Sequence, residues 1–285
     1  MALGTSSSAS STTVLLMTGM EPAISRALGR PLRNAARRSK DDTSRRSGAN
    51  FYEVGIIMMA DLPLAIRAQT IGECWIESIN HVLSHGEPHH DGEVGLLEVL
   101  GLTVEISAPS VSDPLLSAHG DPTVLARTLA KFARDACMPD RPFTYGQRIF
   151  DMEGINQFDW MVERLRRKPE TKSATINLLV PGSSAASLPC LTTLDAKIRQ
   201  GRLDLQFFFR SQNIFGRQYA NLAALAQLQS DLARRCNTVS GTLRGYVASA
   251  HIYAFDTDEA RKLLAGAPVR IKDRYYELGP QATGE

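Results

Sequence analysis

One segment of the chain places an apolar residue at every second position, and this pattern limits the fold more than any other feature. The apolar positions are Leu203, Leu205, Phe207 and Phe209. A period of two is that of a β-strand with one buried face. The fold must therefore contain a sheet that is covered on one side. Arg210, which follows the strand, then points away from the apolar row.

The rest of the chain supplies further strands and several helical patterns. Strands are predicted at Phe51–Met59, Gly95–Ile106, Thr175–Val180 and Gly241–Phe255. Helices are predicted at Ile66–Leu83, which Gly86 ends, at Thr123–Cys137, at Asn221–Cys236, and over the apolar face Ile155, Phe158, Met161, Val162 and Leu165. Tyr145-Gly146 is predicted to open a loop. Together these elements predict an α+β fold with a few long helices over a sheet.

Size and charge narrow the class of protein. The 285 residues, of which 43% are hydrophobic, can form one large domain, and we assign it to residues 51–270. The formal net charge of +2 gives no general electrostatic reason to expect a nucleic-acid or membrane partner. The four cysteines have no CxxC spacing, which favours a reducing cytoplasm over a secreted disulfide scaffold.

Both ends of the chain differ from this domain. Residues 1–50 are rich in Ser and Arg and poor in apolar side chains, which predicts a disordered extension. A transit peptide is the alternative interpretation of such a composition. Residues 271–285 are predicted to form a C-terminal tail that is polar at its end.

Five landmarks follow one another in the second half of the chain. They are the helix and basic segment Ile155–Ser173, Leu188-Pro189-Cys190, Phe209-Arg210-Ser211, Ile214-Phe215 with Asn221, and His251-Ile252-Tyr253. Their order and spacing resemble those of the thymidylate synthase and pyrimidine hydroxymethylase family. The resemblance implies a large mixed β-sheet packed with several long helices and a homodimer formed through the sheets. It also implies a pyrimidine nucleotide as substrate.

By this resemblance Cys190 is the nucleophile that attacks C6 of the pyrimidine. Arg210 contacts both the nucleotide phosphate and the thiolate, and Ser211 donates to the phosphate. Such chemistry needs a thiolate, a cation that keeps it ionised and hydrogen bonds that take up charge at O4. Without the resemblance, the favoured interpretation of an isolated cysteine such as Cys190 is a buried structural residue.

The resemblance also implies the residues that read the base and the sugar. Asn221 contacts the base and favours uracil, although a flipped amide accommodates cytosine; its other interpretation is a helix N-cap. His251 and Tyr253 hold the sugar, ribose or deoxyribose, or are structural. Tyr145 assists proton removal from C5.

The resemblance also implies a role for a second subunit. Lys172 lies at the position of the first of two family arginines that reach the partner subunit's phosphate site. Shared active sites in a homodimer follow from this, unless Lys172 is a solvated surface lysine. Ser173 replaces the second arginine.

The sequence departs from the family mainly on the folate side. Ala126–Phe132 lacks the family's catalytic glutamate, Asn213 replaces an aspartate that contacts the pterin, and acidic residues occupy Asp91–Gly95, where the family carries a phosphate-binding arginine. These changes favour hydroxymethyl transfer over full methylation, with 5,10-methylenetetrahydrofolate as the expected cofactor. A pyrimidine nucleotide-binding protein with reduced catalysis and folate-independent chemistry at C5 remain alternatives.

Four histidines outside these landmarks raise the question of a metal. His81, His85 and His89 are four residues apart, and His90 and Asp91 follow. No cysteine or second carboxylate nearby completes a closed zinc set. The sequence therefore predicts no metal site.

Overall fold

The computed structural model describes residues 65–137, 143–182, 188–269 and 271, which all belong to one compact unit. In chain order the elements are β1 (Ala65–Ala68), α1 (Ile71–His85), β2 (Glu87–Asp91), β3 (Val94–Ile106), α2 (Pro114–His119), α3 (Pro122–Phe132), α4 (Tyr145–Phe150), α5 (Gln157–Arg167), β4 (Thr175–Asn177), β5 (Leu191–Arg199), β6 (Arg202–Phe209), β7 (Gln212–Asn213), α6 (Ile214–Arg235), β8 (Val239–Tyr253), a 3-10 turn (Ala254–Asp256) and α7 (Thr257–Leu264). The predicted extension 1–50, the strand Phe51–Met59 and all but the first residue of the tail 271–285 lie outside the described residues.

The strands form one sheet of mixed direction, in the order β1-β3-β8-β6-β5-β4, with β2 added to β3 and β7 added to β8. Strand β8 runs antiparallel to β3 and parallel to β6 and β7. Several helices pack on this sheet. The predicted α+β class with a large mixed sheet is confirmed.

One face of the sheet carries the core. The alternating residues of β6 are buried, from Leu203 at 0% exposed to Phe207 at 4%, as the sequence pattern predicts. Helix α6 covers them with its own buried leucines, Leu222, Leu225, Leu228 and Leu232. The opposite face leaves apolar side chains exposed, among them the stacked rings of Phe208 at 38% and Tyr246 at 39%, whose centroids are 5.4 Å apart.

Helix α6 is also tied to α1 by a tryptophan. The indole N–H of Trp75 donates to the backbone carbonyls of Ile214 and Phe215, at 3.0 and 3.2 Å. The Trp75 ring packs on Tyr219 with centroids 4.7 Å apart. These contacts fix the first turns of the helix that carries Asn221.

Two predicted helix starts were wrong because a polar cap overrides the apolar pattern. Helix α1 begins at Ile71, not at Ile66, since Thr70 and Glu73 form a capping box; residues 65–68 pair as a strand instead. Its predicted end at Gly86 is confirmed. Helix α5 begins at Gln157, capped by Asn156, and leaves Ile155 outside the helix and 61% exposed.

Two more predictions are corrected around the landmarks. Tyr145-Gly146 does not open a loop but starts helix α4, because Thr144 and Gln147 form a second capping box. Helix α6 begins at Ile214, seven residues before its predicted start, with Asn213 as its cap. Asn221 therefore lies in the helix interior and is not an N-cap.

Three boundaries shift by smaller amounts. Helix α3 ends at Phe132 rather than Cys137, β4 ends at Asn177 rather than Val180, and β8 spans Val239–Tyr253 instead of Gly241–Phe255. Gly146 shows why α3 and α4 pack closely: a Cβ added there would lie 1.8 Å from the carbonyl oxygen of Ala133. Only glycine permits this approach.

Candidate functional site

A cavity of about 470 Å³ lies where β7 and the start of α6 meet the ends of β3 and β8. All of the predicted site residues except Lys172 line it. They are Tyr145, Cys190, Arg210, Ser211, Asn213, Asn221, His251 and Tyr253. These residues come from positions more than one hundred residues apart in sequence, so their convergence depends on the fold.

Cys190 is half-buried at the start of β5. Its carbonyl accepts a hydrogen bond of 2.8 Å from the backbone N–H of Arg210, which fixes β5 against the end of β6. The hydroxyl of Tyr145 accepts from the backbone N–H of Leu191 at 3.3 Å. The phenol therefore lies one peptide unit from the cysteine.

The guanidinium of Arg210 is held against the segment that precedes Cys190. It donates to the carbonyls of Pro189 and Leu188 at 3.1 and 3.2 Å. These bonds use two of its five N–H donors, and the side chain also lines the cavity. A permanent positive charge is thus fixed beside the cysteine segment.

Helix α6 presents three polar residues to the cavity at intervals of four: Asn213, Arg217 and Asn221. Residues four apart share one face of a helix. Asn213 already has a structural role, because its side-chain oxygen accepts from the backbone N–H of Gly216 at 2.9 Å as the helix cap. Asn221 reaches the cavity from two turns further along.

Strand β8 contributes His251 and Tyr253, whose rings lie 5.0 Å apart on one face. The Tyr253 hydroxyl donates to the Asp91 carboxylate at 2.9 Å. Burial lowers the pKa of His251, and the nearby carboxylates of Asp91 and Glu98 oppose this effect only in part. The imidazole is therefore neutral near neutral pH.

Lys172 does not line the cavity of its own chain. It is exposed in the turn between α5 and β4. Its neighbour Ser173 accepts two hydrogen bonds from the Arg164 guanidinium, at 2.9 and 2.6 Å. Its predicted contact with a phosphate in a partner subunit stays a prediction.

Several charged cavity residues were missed in the sequence. The basic ones are Lys131, Arg148 and Arg217, and the acidic one is Glu98. Arg148 is 5% exposed and donates to the Leu178 carbonyl, and its burial lowers its pKa. The interval of four between Arg217 and Asn221 was the available signal, but the predicted start of α6 at Asn221 concealed it.

The histidines form no metal site in the described part of the chain, where no group of three His, Cys, Asp or Glu side chains is close enough to hold an ion. His81 and His85 stack with centroids 4.5 Å apart, whereas His89 and His90 line the cavity. Within the described residues no helix is both long and apolar enough to cross a membrane.

Comparison with known proteins places this site in a family. The family model described as thymidylate synthase matches residues 125–273. The chain belongs to the thymidylate synthase family. Membership covers the segment that supplies Cys190, Arg210, Asn221 and His251, and the family transfers a one-carbon unit to C5 of a pyrimidine nucleotide.

Relatives of this thymidylate synthase family member are distant. A protein of Methanosarcina barkeri named "Putative thymidylate synthase" is 28% identical over 205 residues, which is 70% of this chain and 94% of the relative. A protein of the same name from Methanopyrus kandleri is 30% identical over 203 residues, or 68% of this chain and 95% of the relative. The thymidylate synthase of Enterobacteria phage T4 is 27% identical over 129 residues, 45% of each chain. This chain is thus a diverged member.

Proposed function

We propose that the chain is a diverged one-carbon transferase in which Cys190 attacks C6 of a pyrimidine nucleotide so that C5 accepts a hydroxymethyl or methyl group. The observation that carries this proposal is the convergence of Cys190, Arg210 and Asn221 on one cavity. A cysteine, a permanent cation and an amide are the groups that this addition needs.

The addition is balanced within the substrate. The Cys190 sulfur forms a bond to C6, and the π electrons of the C5–C6 double bond move onto C5 and O4. Once C5 has gained a carbon, the C5 proton leaves to a base and the bond between that carbon and its carrier breaks, with the electron pair going to the carrier. Water then adds to the exocyclic methylene as the sulfur is eliminated, which restores the double bond and gives the hydroxymethyl product. Tyr145, whose hydroxyl is bonded to the N–H of Leu191, is the candidate for assisting the proton transfer.

Recognition of the base is assigned to Asn221. Its side-chain amide can donate to O4 and accept from N3–H of uracil at the same time. The position of Asn221 inside α6, rather than at a flexible helix end, supports this role. Uracil is therefore the proposed base, and cytosine requires the amide to be flipped.

The phosphate is assigned to Arg210 and Ser211, with Lys172 from a second subunit. A homodimer through the sheet is supported by the exposed face that carries Phe208 and Tyr246, whose apolar surface would be buried on association. The four cysteines are free thiols, which fits the proposed cytoplasmic location.

We propose 5,10-methylenetetrahydrofolate as the one-carbon donor, bound in this cavity. Phe143 offers a ring that is 55% exposed for stacking on a flat heterocycle, and Asn213 keeps an amide at the cavity surface. When bound, this cofactor would supply a carbon at the methylene level. Phe143, Asn213 and Arg217 are the residues proposed to hold it.

One observation favours a second candidate, a nucleotide-binding protein with reduced catalysis. Helix α3, where the family carries its glutamate, turns Thr128 and Lys131 toward the cavity and no carboxylate. The loss of a proton relay there also favours hydroxymethylation, in which water captures the exocyclic carbon, over methylation.

Release of tritium from C5 tests the proposal. The protein is incubated with uridylate, deoxyuridylate or cytidylate tritiated at C5, with and without methylenetetrahydrofolate, beside Cys190→Ser and Cys236→Ser as a matched control. Wild type and the Cys236 variant should release tritium, and Cys190→Ser should not. No release from any nucleotide, together with nucleotide binding, would leave the binding-protein candidate.

A further inference from the structure

The cavity has a wall that is rich in hydrogen-bond acceptors. Strands β3 and β8 pair Glu98 directly with His251 and Leu96 with Tyr253. Paired residues of antiparallel strands point to the same face. Glu98, Ser249, His251 and Tyr253, together with Asp91 from the end of β2, therefore form one surface, which we call the carboxylate wall.

Both carboxylates of this wall are fixed by hydroxyl groups. A Glu98 oxygen accepts from the Ser249 hydroxyl, and an Asp91 oxygen accepts from the Tyr253 hydroxyl at 2.9 Å. An ionised carboxylate has about four acceptor positions. Each therefore retains the capacity to accept hydrogen bonds from a ligand.

Charge decides which part of a nucleotide suits this wall. Two carboxylates repel a phosphate, whereas the cavity's basic residues, which we call the cationic wall, come from other elements: Lys131, Arg148, Arg210 and Arg217. The uncharged, hydroxyl-bearing part of a nucleotide is its sugar. Sugar hydroxyls donate well to carboxylates, and such charge-assisted bonds are the strong ones.

We propose that the carboxylate wall selects ribose, so that the substrate is a pyrimidine ribonucleotide and Glu98 accepts the hydrogen bond of its 2′-hydroxyl. This inference rests on the proposed function. His251 pairs with Glu98 across the two strands. Its side chain is only 7% exposed, so it has little freedom to move. If His251 and Tyr253 hold one sugar hydroxyl, as the family resemblance implies, Glu98 is the additional acceptor for a second, neighbouring hydroxyl.

Calorimetry with uridylate and deoxyuridylate tests the inference on the full chain. Wild type should bind the ribonucleotide at least about tenfold more tightly, the value expected for one hydrogen bond to a charged group. In Glu98→Gln most of this affinity ratio should be lost, because the binding of uridylate weakens. The affinity for deoxyuridylate should change less than about twofold. Ser249→Ala, which frees Glu98 to move, should reduce the affinity ratio by a smaller factor.

Glu105→Gln is the matched control, because Glu105 lies on the same strand but faces Arg244 at 3.8 Å and does not line the cavity. It should keep the wild-type ratio. Equal or tighter binding of deoxyuridylate by wild type would overturn the ribose inference and leave the proposed function standing. Absence of binding by both nucleotides and their cytosine counterparts would overturn the proposed function, and the inference with it.

Discussion

The two walls of the cavity differ in how their charges are held. The carboxylate wall is built on paired strands, where Asp91 and Glu98 each accept from a hydroxyl of β8. The cationic wall is built on helices and on the end of β6, where Arg210 is bonded to backbone carbonyls. A cavity whose acidic and basic residues come from different elements suits a ligand with an anionic end and a neutral polar end. A pyrimidine nucleotide has this distribution.

The largest expected effect comes from the cationic wall. Arg210→Ala removes a fixed cation and should weaken nucleotide binding about thirtyfold, or about 2 kcal/mol, the usual value for hydrogen bonds to a charged group. Arg210→Lys should recover part of the loss, since a lysine keeps the charge but not the planar fork. The measurement is calorimetric titration with the ribonucleotide that binds wild type.

Arg202→Ala is the control for this comparison, because Arg202 opens the same strand, is exposed and lies outside the cavity. It should bind like wild type. If Arg210→Ala also bound like wild type, the cationic wall would not be the phosphate end of the cavity.

A smaller effect, on the pH dependence of stability, is expected from His251 in the carboxylate wall. Burial lowers the pKa of His251 in the folded state, although Asp91 and Glu98 oppose the shift. The unfolded chain, with a histidine pKa of about 6.5, then binds a proton that the folded chain does not. This contribution to stability is fully present above that pH and is lost as the pH falls below it, by at most about 1 kcal/mol between pH 7 and pH 5.5, which is the limit that the unfolded pKa sets.

Urea unfolding of wild type and His251→Asn at the two pH values measures this contribution. The variant should be less sensitive to pH than wild type by that amount. Equal sensitivity would mean that the two carboxylates already hold the His251 pKa at its ordinary value, and the wall would then carry less net negative charge at neutral pH than proposed, because a fraction of His251 would be protonated.

The sheet framework could be predicted from sequence, and most of the candidate site residues line one cavity, but the local geometry could not be predicted. The buried row of β6 follows directly from a period of two, and it is confirmed. The starts of α1, α4 and α6 were missed because capping by Thr70, Thr144 and Asn213 decides them, and a cap depends on one or two hydrogen bonds rather than on a long pattern.

Several charged residues of the cavity could not be predicted from the sequence either. Glu98 lies in an apolar strand, and only its register opposite His251 brings it to the cavity. Lys131 and Arg148 belong to helices whose orientation the sequence does not give. Strand pairing and helix packing are contacts between distant residues, so these members of the two walls required the structure.

Covalent labelling tests the central claim most directly. A 5-fluoropyrimidine nucleotide cannot lose a proton from C5, so attack at C6 should leave it attached to the enzyme. The intact mass of the protein, measured after incubation with 5-fluorouridylate with and without methylenetetrahydrofolate, should rise by one nucleotide, together with one methylenetetrahydrofolate where it is present, and peptide mapping should locate the adduct at Cys190. An unchanged mass under both conditions, or an adduct that persists in Cys190→Ser, would contradict the account.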